Sequence, residues 1–244
     1  MIDATLPEGV VVVRIDQGRV RNAINSETAE RPFQAFRAFD ADPEAKVAVL
    51  TGDEESFCAG ANLRDLPRLR ESGPLGPTRL TLGKPVIAAI EGWCVAGGVE
   101  LAAWCDLRVA GRSARIGCLE RRWGVPLIDG GTYRLPQIVG LGRALDLILT
   151  GRELGTEEAE RMGLLTRVVD DGEALATAVA LAGQIASFPW LGVVNDRRSV
   201  YAGLGLDVGA ALAIEEELGR ETIFADGFRE GVGRFDQHQA TRER

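Results

Sequence analysis

Between Lys84 and Asp106 the chain reads KPVIAAIEGWCVAGGVELAAWCD. Pro85 to Glu91 is a short run of β-branched and small apolar residues, which predicts a buried strand. Gly97-Gly98 marks a turn, and Val99 to Cys105 predicts a buried helix after it. Glu100 is the one charge in that apolar run. In the first turn of an exposed helix, a glutamate gains about 0.3–1 kcal/mol from the helix dipole. Flanked by Val99, Leu101, Ala102, Ala103 and Trp104, it reads instead as a carboxylate held out of water, which is costly without a partner.

The same grammar occurs earlier. Lys46 to Gly52 predicts a buried strand, and Ser56-Phe-Cys-Ala-Gly-Ala-Asn-Leu63 follows it. Each segment puts glycine between a buried strand and a predicted helix start, where close backbone approach is permitted. N–H groups at a helix start are unpaired. Two such starts side by side would aim two donors at one oxygen and form an oxyanion hole. Glycine turns before helices are also common as plain structure. Two further carboxylates follow. Glu120, in CLERRWG, has the alternative of a surface pair with Arg121 or Arg122; Asp129, in VPLIDGGT, that of a turn or N-cap residue.

Working outward, Gly9 to Asp16 and Leu107 to Ala110 predict strands, and Ser26 to Phe39 a helix with Ser26 as its N-cap. Glu71 to Thr78, ESGPLGPT, predicts a loop. The rest reads mostly as helix, with one more strand at Leu164 to Val169. Helices are expected from Thr156, over Glu173 to Ser187, and over Asp207 to Phe224. Short buried strands alternating with helices argue for an α/β core. The expected organisation is one continuous domain: a core over 1–187 and a C-terminal helical region over 188–244.

The 244 residues carry a net charge of −8, with 26 Arg against Lys46 and Lys84 alone. That balance argues against nucleic acid or an anionic membrane as partner. The N-terminus, MIDATLPEGVVVVRID, lacks the pattern of a signal peptide, and no apolar run is long enough to span a bilayer. Cys58, Cys94, Cys105 and Cys118 show no CxxC spacing and read as reduced thiols of a cytoplasmic protein. The single histidine is His238, so a histidine-based triad or metal site is not expected. Acid–base chemistry has to rest on carboxylates, Tyr, Cys or the backbone.

At this point the sequence resembles the crotonase (enoyl-CoA hydratase/isomerase) superfamily. KPVIAAIEG followed by VAGGVELAAWCDLRVA is similar to the family's central signature. Phe57-Cys-Ala-Gly-Ala-Asn-Leu63 resembles FCAGADL, Arg21-Asn-Ala-Ile24 resembles RNAL, and Gly130-Gly-Thr-Tyr-Arg-Leu-Pro136 resembles GGTQRLP. Thr150-Gly-Arg and Glu158-Ala-Glu-Arg-Met-Gly-Leu164 resemble its TGR…EAxxxGL stretch. The resemblance implies a spiral of repeated ββα units with C-terminal helices that support a trimer or a dimer of trimers. It implies an acyl-CoA thioester as ligand and no separate cofactor, coenzyme A entering with the substrate. It puts the oxyanion-hole N–H groups at Ala61 and Gly97, and coenzyme A contacts at Arg21, Ala23, Ala59, Gly60, Asn62 and Leu63.

In hydratase members two glutamates handle water and proton, at the positions of Glu100 and Glu120. Isomerase members need one carboxylate, at the position of Glu120, so Glu100 favours hydration. Three departures stand out: Asn62 replaces the FCAGAD aspartate, the segment from Leu63 to Lys84 is short and lacks the usual helix signal, and Asp129 adds a third candidate catalytic carboxylate near where dienoyl-CoA isomerase members carry an aspartate. The expectation is an enoyl-CoA hydratase. The alternatives are an enoyl- or dienoyl-CoA isomerase, a thioester hydrolase, or a non-catalytic acyl-CoA-binding protein.

Overall fold

The computed structural model describes residues 6–242; the first five residues of the N-terminal stretch lie outside it. Strands β1 (Val10–Arg14), β2 (Val47–Thr51), β4 (Val86–Ile90), β6 (Leu107–Gly111) and β9 (Arg167–Val169) form a parallel sheet in the order β1-β2-β4-β6-β9. Short strands β3 (Ser56–Cys58), β5 (Trp93–Val95), β7 (Arg115–Gly117) and β8 (Glu153–Gly155) form a second sheet in that order. The pairs β2/β3, β4/β5 and β6/β7 each give one strand to each sheet, so the chain climbs as a spiral.

Both sides of the first sheet are covered, which is why β2 and β4 are buried throughout and, but for Thr51, apolar rather than alternating. Val47, Val49, Ile87 and Ala89 face Ala178 and Ala182 of helix α6 (Ala174–Ala186). Ala48, Leu50, Ala88 and Ile90 face the main core, where Phe36 of helix α1 (Ser26–Ala41) packs edge-on against Trp104 with ring centroids 4.8 Å apart. Glu91, at the end of β4, accepts hydrogen bonds from the Gly172 and Ala174 N–H groups and so anchors the start of α6.

Several local expectations change. Asn25, not Ser26, caps α1: its side chain accepts from the Thr28 N–H, while the Thr28 hydroxyl accepts from the Asn25 N–H. Ser26 instead accepts from the Arg68 N–H and holds the following irregular segment. The strand expected over Leu164 to Val169 is confined to Arg167–Val169, because Leu164 and Leu165 turn off the preceding helix onto the Ala159 carbonyl. No helix starts after Gly60, and residues 61–85 run without one, broken by Pro67, Gly73, Pro74, Gly76 and Pro77. The turn at Gly97 does open a helix, α2 (Gly97–Trp104).

Helices α3 (Gly131–Val139), α4 (Leu141–Thr150) and α5 (Thr156–Arg161) complete the core, and α7 (Trp190–Gly203), α8 (Val208–Phe224) and α9 (Asp226–Arg242) follow it. Asp207 caps α8 through the Ala210 N–H. Arg197 on α7 pairs with Asp106 at 2.9 Å and donates to the Leu82 carbonyl at 2.6 Å, tying the helices to the core. No single described helix is long and apolar enough to cross a membrane.

Candidate active site

The two glycine turns meet. A side chain on Gly60 would put its Cβ 2.7 Å from the Gly97 nitrogen, and one on Gly97 would put its Cβ 3.2 Å from the Gly60 Cα. The turns touch because neither residue has a side chain. Gly60 has φ +86°, and Ala96, just before Gly97, takes φ +54° and ψ −128°, a conformation an alanine rarely adopts. That strained step turns the chain from β5 into α2 and leaves the Gly97 N–H at the open helix end.

Ala61 is paired with Ile24 in a parallel bridge. In it the Ile24 N–H donates to Gly60 O and the Asn62 N–H donates to Ile24 O, which leaves the intervening Ala61 N–H on the opposite side. Ala61 and Gly97 border one cavity of about 520 Å³, together with Glu100, Glu120 and Asp129. The four positions that the resemblance assigns to the oxyanion hole and to water and proton handling, together with the further candidate Asp129, are scattered over 69 positions of sequence and share one space.

The three carboxylates are held differently. Glu100 is 2% exposed; its Oε1 accepts from the Asp129 N–H at 2.9 Å and the Gly131 N–H at 2.8 Å. Burial pushes its carboxyl up to about 7, against the pull of these donors and with help from nearby Asp129 and Glu120. Glu120 lies on a 3₁₀ turn, Leu119–Trp123, and is buried rather than surface-paired. Arg121 and Arg122 instead donate to the carbonyls of Ile148 and Gly151. Neither carboxyl oxygen of Glu120 bonds another described residue, and burial raises its pKa. Asp129 is buried and does not cap a helix: its Oδ1 accepts from the Leu75 N–H at 3.1 Å and from the Thr78 hydroxyl. Burial again raises its pKa, opposed first by Thr78.

A smaller hollow of about 240 Å³ shares Ala59, Val95, Leu119 and Trp123 with it and adds Arg21, Trp93, Arg122 and Glu153, the last paired with Arg122 at 3.6 Å. Arg21 and Asn22 both have positive φ. Asn22 is locked inward by bonds to Asp53 and the Ser56 carbonyl, which leaves Arg21 exposed over the Trp93 ring at 5.2 Å. Of the positions matched to coenzyme A contacts, Arg21, Ala59 and Leu63 border these hollows, whereas Ala23, Gly60 and Asn62 do not. Those three shape the turn: Asn62 Oδ1 accepts the Arg64 N–H, an Asx turn that an aspartate would make equally well. Sequence reasoning missed Trp93, Arg122, Trp123, Leu75 and Thr78. The exposed aromatic in ERRWG was the available signal for Trp123; nothing local marked the others.

Comparison with known proteins agrees with this geometry. The sequence profile of the enoyl-CoA hydratase/isomerase family matches residues 5–241. Enoyl-CoA hydratase EchA19 of Mycobacterium tuberculosis is 34% identical over 242 residues, spanning 94% of this chain and 91% of that protein. A short-chain-enoyl-CoA hydratase of Clostridium acetobutylicum is 35% identical over 236 residues, spanning 93% of this chain and 90% of that one. The crystal structure of an enoyl-CoA hydratase from M. tuberculosis H37Rv aligns with a TM-score of 0.90 at 32% identity, covering 95% of this chain and 93% of the other. The fold is the crotonase fold, and the chain belongs to the enoyl-CoA hydratase/isomerase family.

Proposed function

We propose that the protein is an enoyl-CoA hydratase, adding water across the double bond of a 2-enoyl-CoA thioester. The observation that carries this reading is that two buried glutamates with different surroundings border the same cavity as Ala61 and Gly97. The thioester oxygen would accept from the Ala61 and Gly97 N–H groups. Addition to Cβ moves charge onto that oxygen, and two preorganised donors favour the resulting enolate over the ground state.

Glu100 suits the base. Two backbone N–H groups fix its Oε1, leaving Oε2 to orient a water and take its proton as the oxygen attacks Cβ. Glu120 suits the acid. Its buried carboxyl has no hydrogen bond to another described residue to favour the charged form, and in its neutral form it would deliver a proton to Cα. One water is consumed, its hydroxyl going to Cβ; the proton from Glu120 goes to Cα, and the proton on Glu100 restores the pair. Such a reaction needs no cofactor beyond the coenzyme A of its substrate.

Arg21 and Arg122 of the smaller hollow suit the phosphates of that coenzyme A. Exposed apolar side chains on the C-terminal helices, among them Leu212, Ile223, Phe224 and Phe228, suit self-association as a trimer or dimer of trimers. Its four free, buried cysteines suit a cytoplasmic protein.

Purified protein should abolish the conjugated ultraviolet absorbance of crotonyl-CoA and give a product heavier by one water. A product of unchanged mass would make it an isomerase, and free coenzyme A would make it a thioester hydrolase. Tight binding of acyl-CoA without turnover would make it a binding protein.

A further inference from the structure

The segment between Leu63 and Lys84 has no helix, yet its middle is deeply buried. Gly73 to Thr78 are all buried, with Leu75 at 2% and Thr78 at 0% exposure. A loop buried this way needs partners for its backbone. They come from the turn that leads into α3. Asp129 Oδ1 accepts from the Leu75 N–H and the Thr78 hydroxyl. Arg134 spans both pieces, donating to Asp129 O at 3.0 Å and to Thr78 O at 2.6 Å. Arg79 donates to the Ile128 carbonyl at 2.7 Å. Gly73, with φ +97°, lets the loop close: a Cβ there would lie 2.1 Å from the Thr78 hydroxyl and 2.7 Å from Asp129 Oδ1.

This clamp reaches the reacting groups from two sides. Leu75 sits against the oxyanion-hole glycine, its Cδ1 only 2.2 Å from where a Gly97 Cβ would be, and it borders the acyl cavity with Pro74. On the other side, the Asp129 N–H is one of the two donors that fix Glu100. We propose that Asp129 is a positioning residue: through Thr78 and Leu75 it pins the short 73–78 segment as the wall of the acyl cavity, and so sets which chain lengths are accepted. The inference rests on the hydration reading of the site. It differs from a proton-transfer role for Asp129 in one chemical respect. An asparagine carbonyl oxygen accepts the same two bonds as Asp129 Oδ1 but carries no proton to exchange.

The test compares the full-length wild type with Asp129→Asn, Asp129→Ala, Thr78→Val and Thr78→Ser. Each is assayed on crotonyl-CoA and on a ten-carbon 2-enoyl-CoA across pH, with amide exchange followed over 73–78 by mass spectrometry. Asp129→Asn should stay within about threefold of wild type in kcat/KM, with the same pH profile and the same exchange protection. Asp129→Ala and Thr78→Val should lose protection over 73–78 and shift the ratio of kcat/KM toward the ten-carbon substrate by about tenfold. Thr78→Ser should restore both. Asp129→Asn falling as far as Glu100→Gln, or losing a limb of the pH profile, would overturn the proposal in favour of catalysis by Asp129. Unchanged protection in the Ala and Val variants would overturn the clamp. If Asp129→Ala does not fold, Asp129→Asn and the Thr78 pair carry the decision. A wild type that hydrates neither substrate defeats the hydration reading instead, while the exchange data still judge the clamp.

Discussion

The two glycine turns that build the site begin alike and end differently. Both leave a three-residue strand of the second sheet, and both put a glycine at the point of contact. After Gly97 the chain is Gly-Val-Glu-Leu-Ala-Ala-Trp, without proline, and it forms α2 at once. After Gly60 it meets three prolines and two glycines by Pro77 and forms no helix. The helical side carries its donor and its carboxylate on one element: Glu100 is three residues from Gly97 on α2, and the Asp129 and Gly131 N–H groups then fix its Oε1 from outside the helix. The irregular side has no such unit, and its rigidity is borrowed from Asp129 and Arg134 across more than fifty residues of sequence. The backbone path of one half is specified locally by a helix, that of the other by a long-range clamp, and the turn at Asp129 touches both.

The largest effect that tests this contrast is the response of each side to a carboxylate-to-amide change. Glu100→Gln, on the helical side, should lower kcat/KM by about 10²–10⁴-fold, because the amide keeps the hydrogen bonds to Asp129 and Gly131 but takes no proton. Glu120→Gln should fall by a similar factor. Full rates in both would defeat the mechanism. In wild type, kcat/KM should drop as pH falls through about 7, where Glu100 takes up its proton. That acidic limb should be absent from whatever activity Glu100→Gln retains.

A smaller effect separates the two sides by stability. A Cβ on Gly98 would lie 2.0 Å from the Cys58 carbonyl oxygen, backbone against backbone. Gly98→Ala should therefore cost about 3 kcal/mol or more, since β3 or α2 must shift. At Gly73 the nearest atoms are the Thr78 hydroxyl and Asp129 Oδ1, side-chain ends that can move apart at the expense of the bond between them, with no backbone in the way. Gly73→Ala should cost about 1–2 kcal/mol from its positive φ, and should reproduce the altered chain-length preference of Thr78→Val. Urea unfolding of both variants checks the order; equal losses would mean that the two turns are equally rigid.

The same asymmetry decides what could be read in advance. Strands β2 and β4 are buried, mainly apolar runs of five residues, β6 is another interrupted by Arg108, and α2 announces itself by a turn followed by a buried stripe. Each is a local pattern, and each emerged within a residue or two of its expected limits. Strands β3, β5, β7 and β8 did not, because three residues contain no measurable period. The motifs located Glu100 and Glu120, but the burial of Glu120 depends on a fold that brings its 3₁₀ turn under the cavity. ESGPLGPT was legible as a loop from its glycines and prolines. That it is buried, and held by Asp129, was not, because the donors and the acceptor are 51 and 54 positions apart.

The smallest prediction asks what the rigid side costs the fold. The Glu100 carboxyl, ordinarily near 4.5, sits at about 7 in the folded protein. Between those values the folded state holds a proton that the unfolded chain has released. Stability conferred by the neutral carboxyl is thus fully present below about pH 4.5 and is lost as pH rises toward 7. Above 7 the fold carries a buried charge that two N–H donors only partly satisfy. Glu100→Gln removes that charge and keeps the acceptor. It should stabilise the protein by about 2 kcal/mol at pH 8 and by close to nothing at pH 4.5, measured by denaturant midpoints at both values. No gain at pH 8 would mean that α2 and the Asp129–Gly131 turn fully compensate the charge. A gain there, from the variant that loses the most activity, would mean that the site holds its base ready at the expense of the fold.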